Sequence, residues 1–109
     1  MIDLNEMAKA SYGAIERREA NGAVGISTDS WRMLEHMASE VVETAGAFHS
    51  YLDHLDEPAY EDLVASELAD VIICCLAFAG QRGIDIDFAL RTKMNITNKE
   101  QTSKETNYE

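Results

Sequence analysis

The stretch from Leu63 to Gln81, LVASELADVIICCLAFAGQ, carries charge at only two positions, Glu67 and Asp70. It is too long for a strand. Val71 to Ile73 has β propensity, but its place inside the longer pattern argues for helix. A helix apolar on nearly every side is expected to be buried. An unpaired carboxylate in such a setting is costly, so something must offset the penalty at Glu67 and Asp70. The two are spaced i, i+3 and share one helix face.

Four helices can be drawn around this one. The first is predicted over Leu4 to Ala20, where Leu4, Met7, Ala8, Tyr12 and Ile15 recur at helical spacing, and NGAVGIS then reads as a loop. The second is predicted from Ser30 to Leu55, with Thr28 or Asp29 as its N-cap. It carries Trp31, Leu34, Ala38, Val41, Ala45, Phe48, Leu52 and Leu55 in alternating steps of three and four. That is a heptad-like seam, which calls for packing along its length against another helix. The third is predicted over Ala59 to Arg82, with Pro58 at its entry and Gly83 as its stop. A fourth follows Asp85 or Asp87 and runs to about Asn98. The expected fold is an all-α, four-helix protomer. Residues 1–98 form one domain and 99–109 a polar, loosely ordered tail. Short connections make the second and third helices antiparallel neighbours.

On that neighbour lies a second pair at the same spacing, Glu40 and Glu43, separated from Glu67 by residues 44–66. A lone ExxE on a helix is ordinarily a solvated face. An ExxD within an apolar helix is not, and the two pairs on adjacent helices favour a metal site. Few bases are at hand to neutralise four carboxylates, since Arg32 and Arg82 sit near the helix ends. Oxygen-only ligation suits Mg2+ and also Mn2+, and it disfavours zinc.

The formal charge of −11 argues against a nucleic-acid polymer as partner, while a small anion remains compatible if cations bridge it to the protein. Cys74 and Cys75 are adjacent and cannot readily pair with each other; they read as buried, inert thiols in a reducing compartment. The N-terminus does not read as a secretory signal, and the longest uncharged run, Val71 to Gln81, is about half of a membrane span. The expected setting is cytoplasmic, with no membrane partner.

ExxE and ExxD, with SEVVETAGAF around the first pair and ELADVIICCLAFAGQRGIDIDFAL around the second, together resemble the MazG-like all-α nucleoside triphosphate pyrophosphohydrolases. The resemblance spans roughly residues 30–98. It implies Mg2+-dependent cleavage of a nucleoside triphosphate between the α and β phosphates, giving the monophosphate and pyrophosphate. It assigns metal ligation to Glu40, Glu43, Glu67 and Asp70, with Glu40 or Glu43 orienting or deprotonating the water. Lys93, with Asn95 or Asn98, matches a phosphate-holding segment, although the Arg that often ends that segment is missing here. His36 stands one turn before Glu40, where it can touch substrate or support a carboxylate. Trp31 reads as a core or interface anchor, with base stacking as the other reading. The surplus of apolar surface, like the resemblance, implies a homo-oligomer, dimer or tetramer.

Two rivals stand beside this reading. One is the phosphoribosyl-ATP pyrophosphohydrolases of the same fold. The other is a non-enzymatic acidic helical oligomerisation module. A di-iron bundle would need Glu three residues before a ligating His, but Met33, Gly46 and Tyr51 occupy those positions.

Overall fold

The carboxylate of Asp3 accepts hydrogen bonds from the backbone N–H of Asn5 and Glu6, at 3.0 and 3.1 Å, and so starts the first helix. In the computed structural model, which describes residues 2–95, this helix is α1, Leu4–Ala20. Asp29 caps α2, Ser30–Leu52, by accepting from the N–H of Arg32 at 3.0 Å. Thr28, the other cap candidate, donates instead through its N–H and hydroxyl to Glu19, at 2.8 and 2.9 Å. Pro58 opens α3, Pro58–Arg82, where its missing N–H costs nothing. Gly83, left-handed at φ 66°, ends it: Ile84 N–H donates to the Ala79 carbonyl at 3.0 Å. Only glycine adopts that conformation without strain. A fourth helix, α4, covers 86–95 of the described residues, and no strand occurs among them.

α3 is the spine, with α2 and α1 both packed against it. The start of α2 is tied to the end of α3, because Ser30 Oγ donates to Gln81 Oε1 at 2.8 Å and Gln81 Nε2 donates to the Thr28 carbonyl. Asn5 holds α4 to α1. Its amide donates to Asp85 at 2.9 Å, and its carbonyl oxygen accepts from the N–H of Ile86 at 3.0 Å. Asp85 in turn caps α4 through the N–H of Phe88 at 3.0 Å. These hydrogen bonds hold the Asp85 carboxyl below its usual range.

The core is small and lies toward the end of α3. Ala8, Leu76 and Ala79 form it, with Ile86 packed on them, and Met33, Ala47 and Ala77 are also buried. Gly80 makes the tight crossing possible: a Cβ there would stand 2.3 Å from the carbonyl oxygen of Ala8.

Several expectations change here. The face that α2 turns inward is not the apolar seam. Met33 and Ala47 are buried and Met37, Glu40 and Thr44 half-buried, whereas Trp31, Phe48 and Leu52 are 74%, 49% and 51% exposed. The seam also outruns the helix, which stops at Leu52. α3 is not wrapped on all sides, since Leu63, Leu68, Ile72 and Ile73 are exposed. Cys75 is exposed rather than buried. By length and composition α3 could cross a membrane, with mean hydropathy 2.0 over 18 residues, a longer apolar stretch than the uncharged run alone indicates. Glu67 and Asp70 interrupt that apolar character, and the helix packs against α1 and α2.

Gly80→Ala is expected to force α1 and α3 apart and to cost about 1–3 kcal/mol of stability, seen as a lowered thermal midpoint. An unchanged midpoint would mean that the crossing is loose.

Candidate metal centre and substrate groove

Helical spacing puts Glu67 and Asp70 on one face of α3, and the inward face of α2 brings Glu40 to meet them. One carboxylate oxygen from each of Glu40, Glu67 and Asp70 lies within 4.8 Å of the other two. Glu40 Oε2 and Glu67 Oε2 are buried without a hydrogen-bond partner. The other oxygen of Glu40 meets His36 Nε2 at 3.3 Å. Thr44 Oγ1 donates to the Glu40 carbonyl at 2.8 Å, which fixes the helix locally.

The electrostatics follow from this crowding. Burial pushes the Glu40 carboxyl above its usual range, and the charge and hydrogen bond of Glu43 raise it further. Asp70 adds to the rise and His36 opposes it. Burial, then the charges of Glu40, Cys75 and Asp70, push the Cys74 thiol up to about 11.

A divalent cation fits these residues. The donors are hard carboxylate oxygens, two of them orphaned, and no Lys or Arg side chain pairs with them among the described residues. Glu43 is exposed, one helical turn beyond Glu40. It is near enough to influence Glu40 but lies outside the three-residue cluster.

Beside the cluster opens a groove of about 570 Å³. α1 contributes Ala10, Ala14 and Arg18, the loop Gly25 to Ser27, α2 Arg32, Met33, His36 and Glu40, and α3 Asp70, Ile73 and Cys74. Small side chains one turn apart on α1 leave the space. His36, one turn before Glu40, meets its carboxylate and lines the groove. Trp31, Lys93 and Asn95 do not line the groove. Asn98 and the segment 99–109 lie outside the described residues. Tyr12 backs onto Gly80, and Tyr60 stacks on His54 with ring centroids 4.0 Å apart. His54 also meets Glu57 at 3.2 Å, a partner not evident from the sequence pattern. Arg32, read in sequence as a base near a helix end, lines the groove, and so does Arg18 from α1. The signal that could have found Arg32 is its spacing, i, i+4, i+8 with His36 and Glu40.

Helices that gather three carboxylates beside an open groove, with no Lys or Arg paired to them among the described residues, define an all-helical protein with an acidic site suited to divalent cations. The chain belongs to the MazG-like family, whose model matches residues 27–109. No curated protein and no solved structure gives a significant match. The matched span begins in the loop before α2, so α1 and Arg18 precede it.

Without divalent cations, Glu67→Gln is expected to stabilise the fold by about 1 kcal/mol, the order of the cost of a buried oxygen left without a partner. Wild type with Mg2+ at about 100 times its Kd gains about 2.7 kcal/mol, and the variant should lose that gain. Thermal melting with and without Mg2+ checks both signs. An equal Mg2+ response in the two proteins would reject Glu67 as a ligand.

Proposed function

We propose that this protein hydrolyses a nucleoside triphosphate between the α and β phosphates, releasing a monophosphate and pyrophosphate. The observation that carries the reading is the Glu40–Glu67–Asp70 cluster, with its two orphaned buried oxygens at the edge of a nucleotide-sized groove. Membership of the MazG-like family supports it.

Glu40, Glu67 and Asp70, with Glu43 beside them, would hold Mg2+ or Mn2+, which when bound would supply positive charge to the triphosphate and acidify a water. The chain's own residues do the rest. Of the two helix-α2 glutamates, we take Glu43, exposed and one turn from Glu40, as the residue that orients the attacking water and takes its proton. His36 holds one oxygen of Glu40, leaving the other toward the cluster. Met33 and Ile73 line the groove with apolar surface, which strengthens the charged contacts made within it. Lys93 and Asn95 lie off this groove, so a phosphate role for them requires a second protomer.

A second protomer is part of the proposal. α2 and α3 pack on each other and leave Trp31, Val41, Phe48, Leu52, Leu68 and Ile72 exposed. A dimer or tetramer that covers them accounts for surface the small core does not use. The same exposed seam favours the rival reading of a non-enzymatic oligomerisation module, and a phosphoribosyl-ATP substrate would use the same carboxylates.

A panel of nucleotides with Mg2+, including phosphoribosyl-ATP, is expected to yield pyrophosphate and a monophosphate. Orthophosphate as the first product would overturn the proposed bond cleavage, and a silent panel would favour the module. Glu67→Gln or Asp70→Asn is expected to reduce turnover by more than the about 100-fold typical of losing an outer-shell partner, with helical content retained by circular dichroism. Light scattering at micromolar concentration should give a dimer or tetramer; a monomer would remove the assembly.

A further inference from the structure

We infer that Arg18 and Arg32 form the anion-holding wall of the groove, gripping the two phosphates that leave together as pyrophosphate; the assignment rests on the cleavage proposed above. The chain has 20 Asp and Glu against 9 Lys and Arg, so a basic side chain has many acidic partners available. Arg91 takes one, meeting Asp87 at 2.9 Å. Arg18 and Arg32 take none among the described residues, as is also true of Lys9, Arg17 and Arg82, but of these five only Arg18 and Arg32 line the groove.

Their placement suits a polyphosphate. Arg32, His36 and Glu40 form one stripe on α2, and Arg32 stands about 12 Å along the helix axis from Glu40, at 1.5 Å per residue. An elongated anion with one end at the carboxylate cluster can extend along that stripe toward Arg32. Arg18 reaches the same groove from a different helix, α1, so the anion is held by two elements rather than one. A guanidinium offers paired N–H donors in a planar fork that matches two phosphate oxygens. In a chain of net charge −11, phosphates that extend past the metal site need local cations, and among the groove residues these two supply permanent positive charge. Ile26, Met33 and Ile73 line the groove with them and lower the local dielectric, which strengthens such contacts.

The test is calorimetric titration of the full-length protein with inorganic pyrophosphate, and separately with a nucleoside monophosphate, both in Mg2+. Wild type, Arg18→Gln, Arg32→Gln and the double variant are compared. Each single change is expected to weaken pyrophosphate binding by about tenfold and the double by about a hundredfold, the scale of a charge-assisted hydrogen bond per site. Monophosphate binding and the Mg2+-induced melting shift should stay at wild-type values, which also certifies the fold and the carboxylate cluster. Undiminished pyrophosphate affinity in the double variant, or no pyrophosphate binding by wild type, overturns the wall. Loss of monophosphate affinity in place of pyrophosphate affinity overturns it too, by moving the arginines to the nucleoside side. Arginine-dependent pyrophosphate binding by a wild type that cleaves no nucleotide would sink the proposed hydrolysis and leave the anion wall standing.

Discussion

Glu40, Glu67 and Asp70 repel one another across the α2–α3 interface, and much of the architecture can be read as accommodation to that repulsion. Two of their oxygens are buried without partners, which leaves their desolvation uncompensated in the metal-free chain. Tight apolar packing therefore cannot run the whole length of α3. It is concentrated toward the helix end, at Leu76, Ala77, Ala79 and Gly80. On the α1 side, the close crossing at Gly80 and the groove at Asp70 and Ile73 belong to one interface. Small residues bring the helices together at the first place, and Ala10 and Ala14 leave a hollow at the second.

This also explains what could and could not be read from the sequence. Glu67 and Asp70 were legible because a charge in an oily helix breaks its own local rule, and such violations concentrate at functional sites. Asp29, Pro58, Gly83 and Asp85 were legible as helix punctuation because capping is a local interaction. The inward face of α2 was not. Hydrophobic periodicity selects the most apolar stripe, Trp31 through Leu55, as the buried one. Here the inward stripe is Met33, Met37, Glu40, Thr44 and Ala47, because the site itself occupies that face. A helix that turns its chemistry inward leaves its grease outside, and the moment of the sequence then points away from the spine. Arg18 was illegible for a simpler reason. Nothing in ERRE distinguishes a solvated helix end from a groove wall until α1 is docked on α3.

The division of labour between the two faces of α2 bears on stability. Among the described residues six hydrophobic side chains are buried, and four of them are alanines. Burial contributes in proportion to apolar area, so such a core is a weak foundation for a chain of 109 residues. The large apolar side chains, Trp31, Phe48, Leu52, Leu68 and Ile72, lie on surfaces that α1 and α4 do not cover. In the proposed assembly those surfaces supply the missing burial, and protomer folding becomes linked to association by mass action.

Metal binding and assembly would then act on the same pair of helices from opposite sides. A cation between Glu40 and the α3 acids relieves the repulsion that pushes α2 and α3 apart. A second protomer on the outer seam presses on the same α2 from behind. Both favour one relative placement of the two helices, so by linkage each should strengthen the other. That placement also sets the distance from Glu40 to the opposing carboxylates, and the Ser30–Gln81–Thr28 contacts fix it at the far end of the pair. The inner face can therefore hold Glu40 and Thr44 among its apolar residues because most of the large hydrophobic side chains of α2 lie outside. An α2 amphipathic in the ordinary sense, with the apolar stripe turned toward α3, would fold more securely alone and would have nowhere to put the acids.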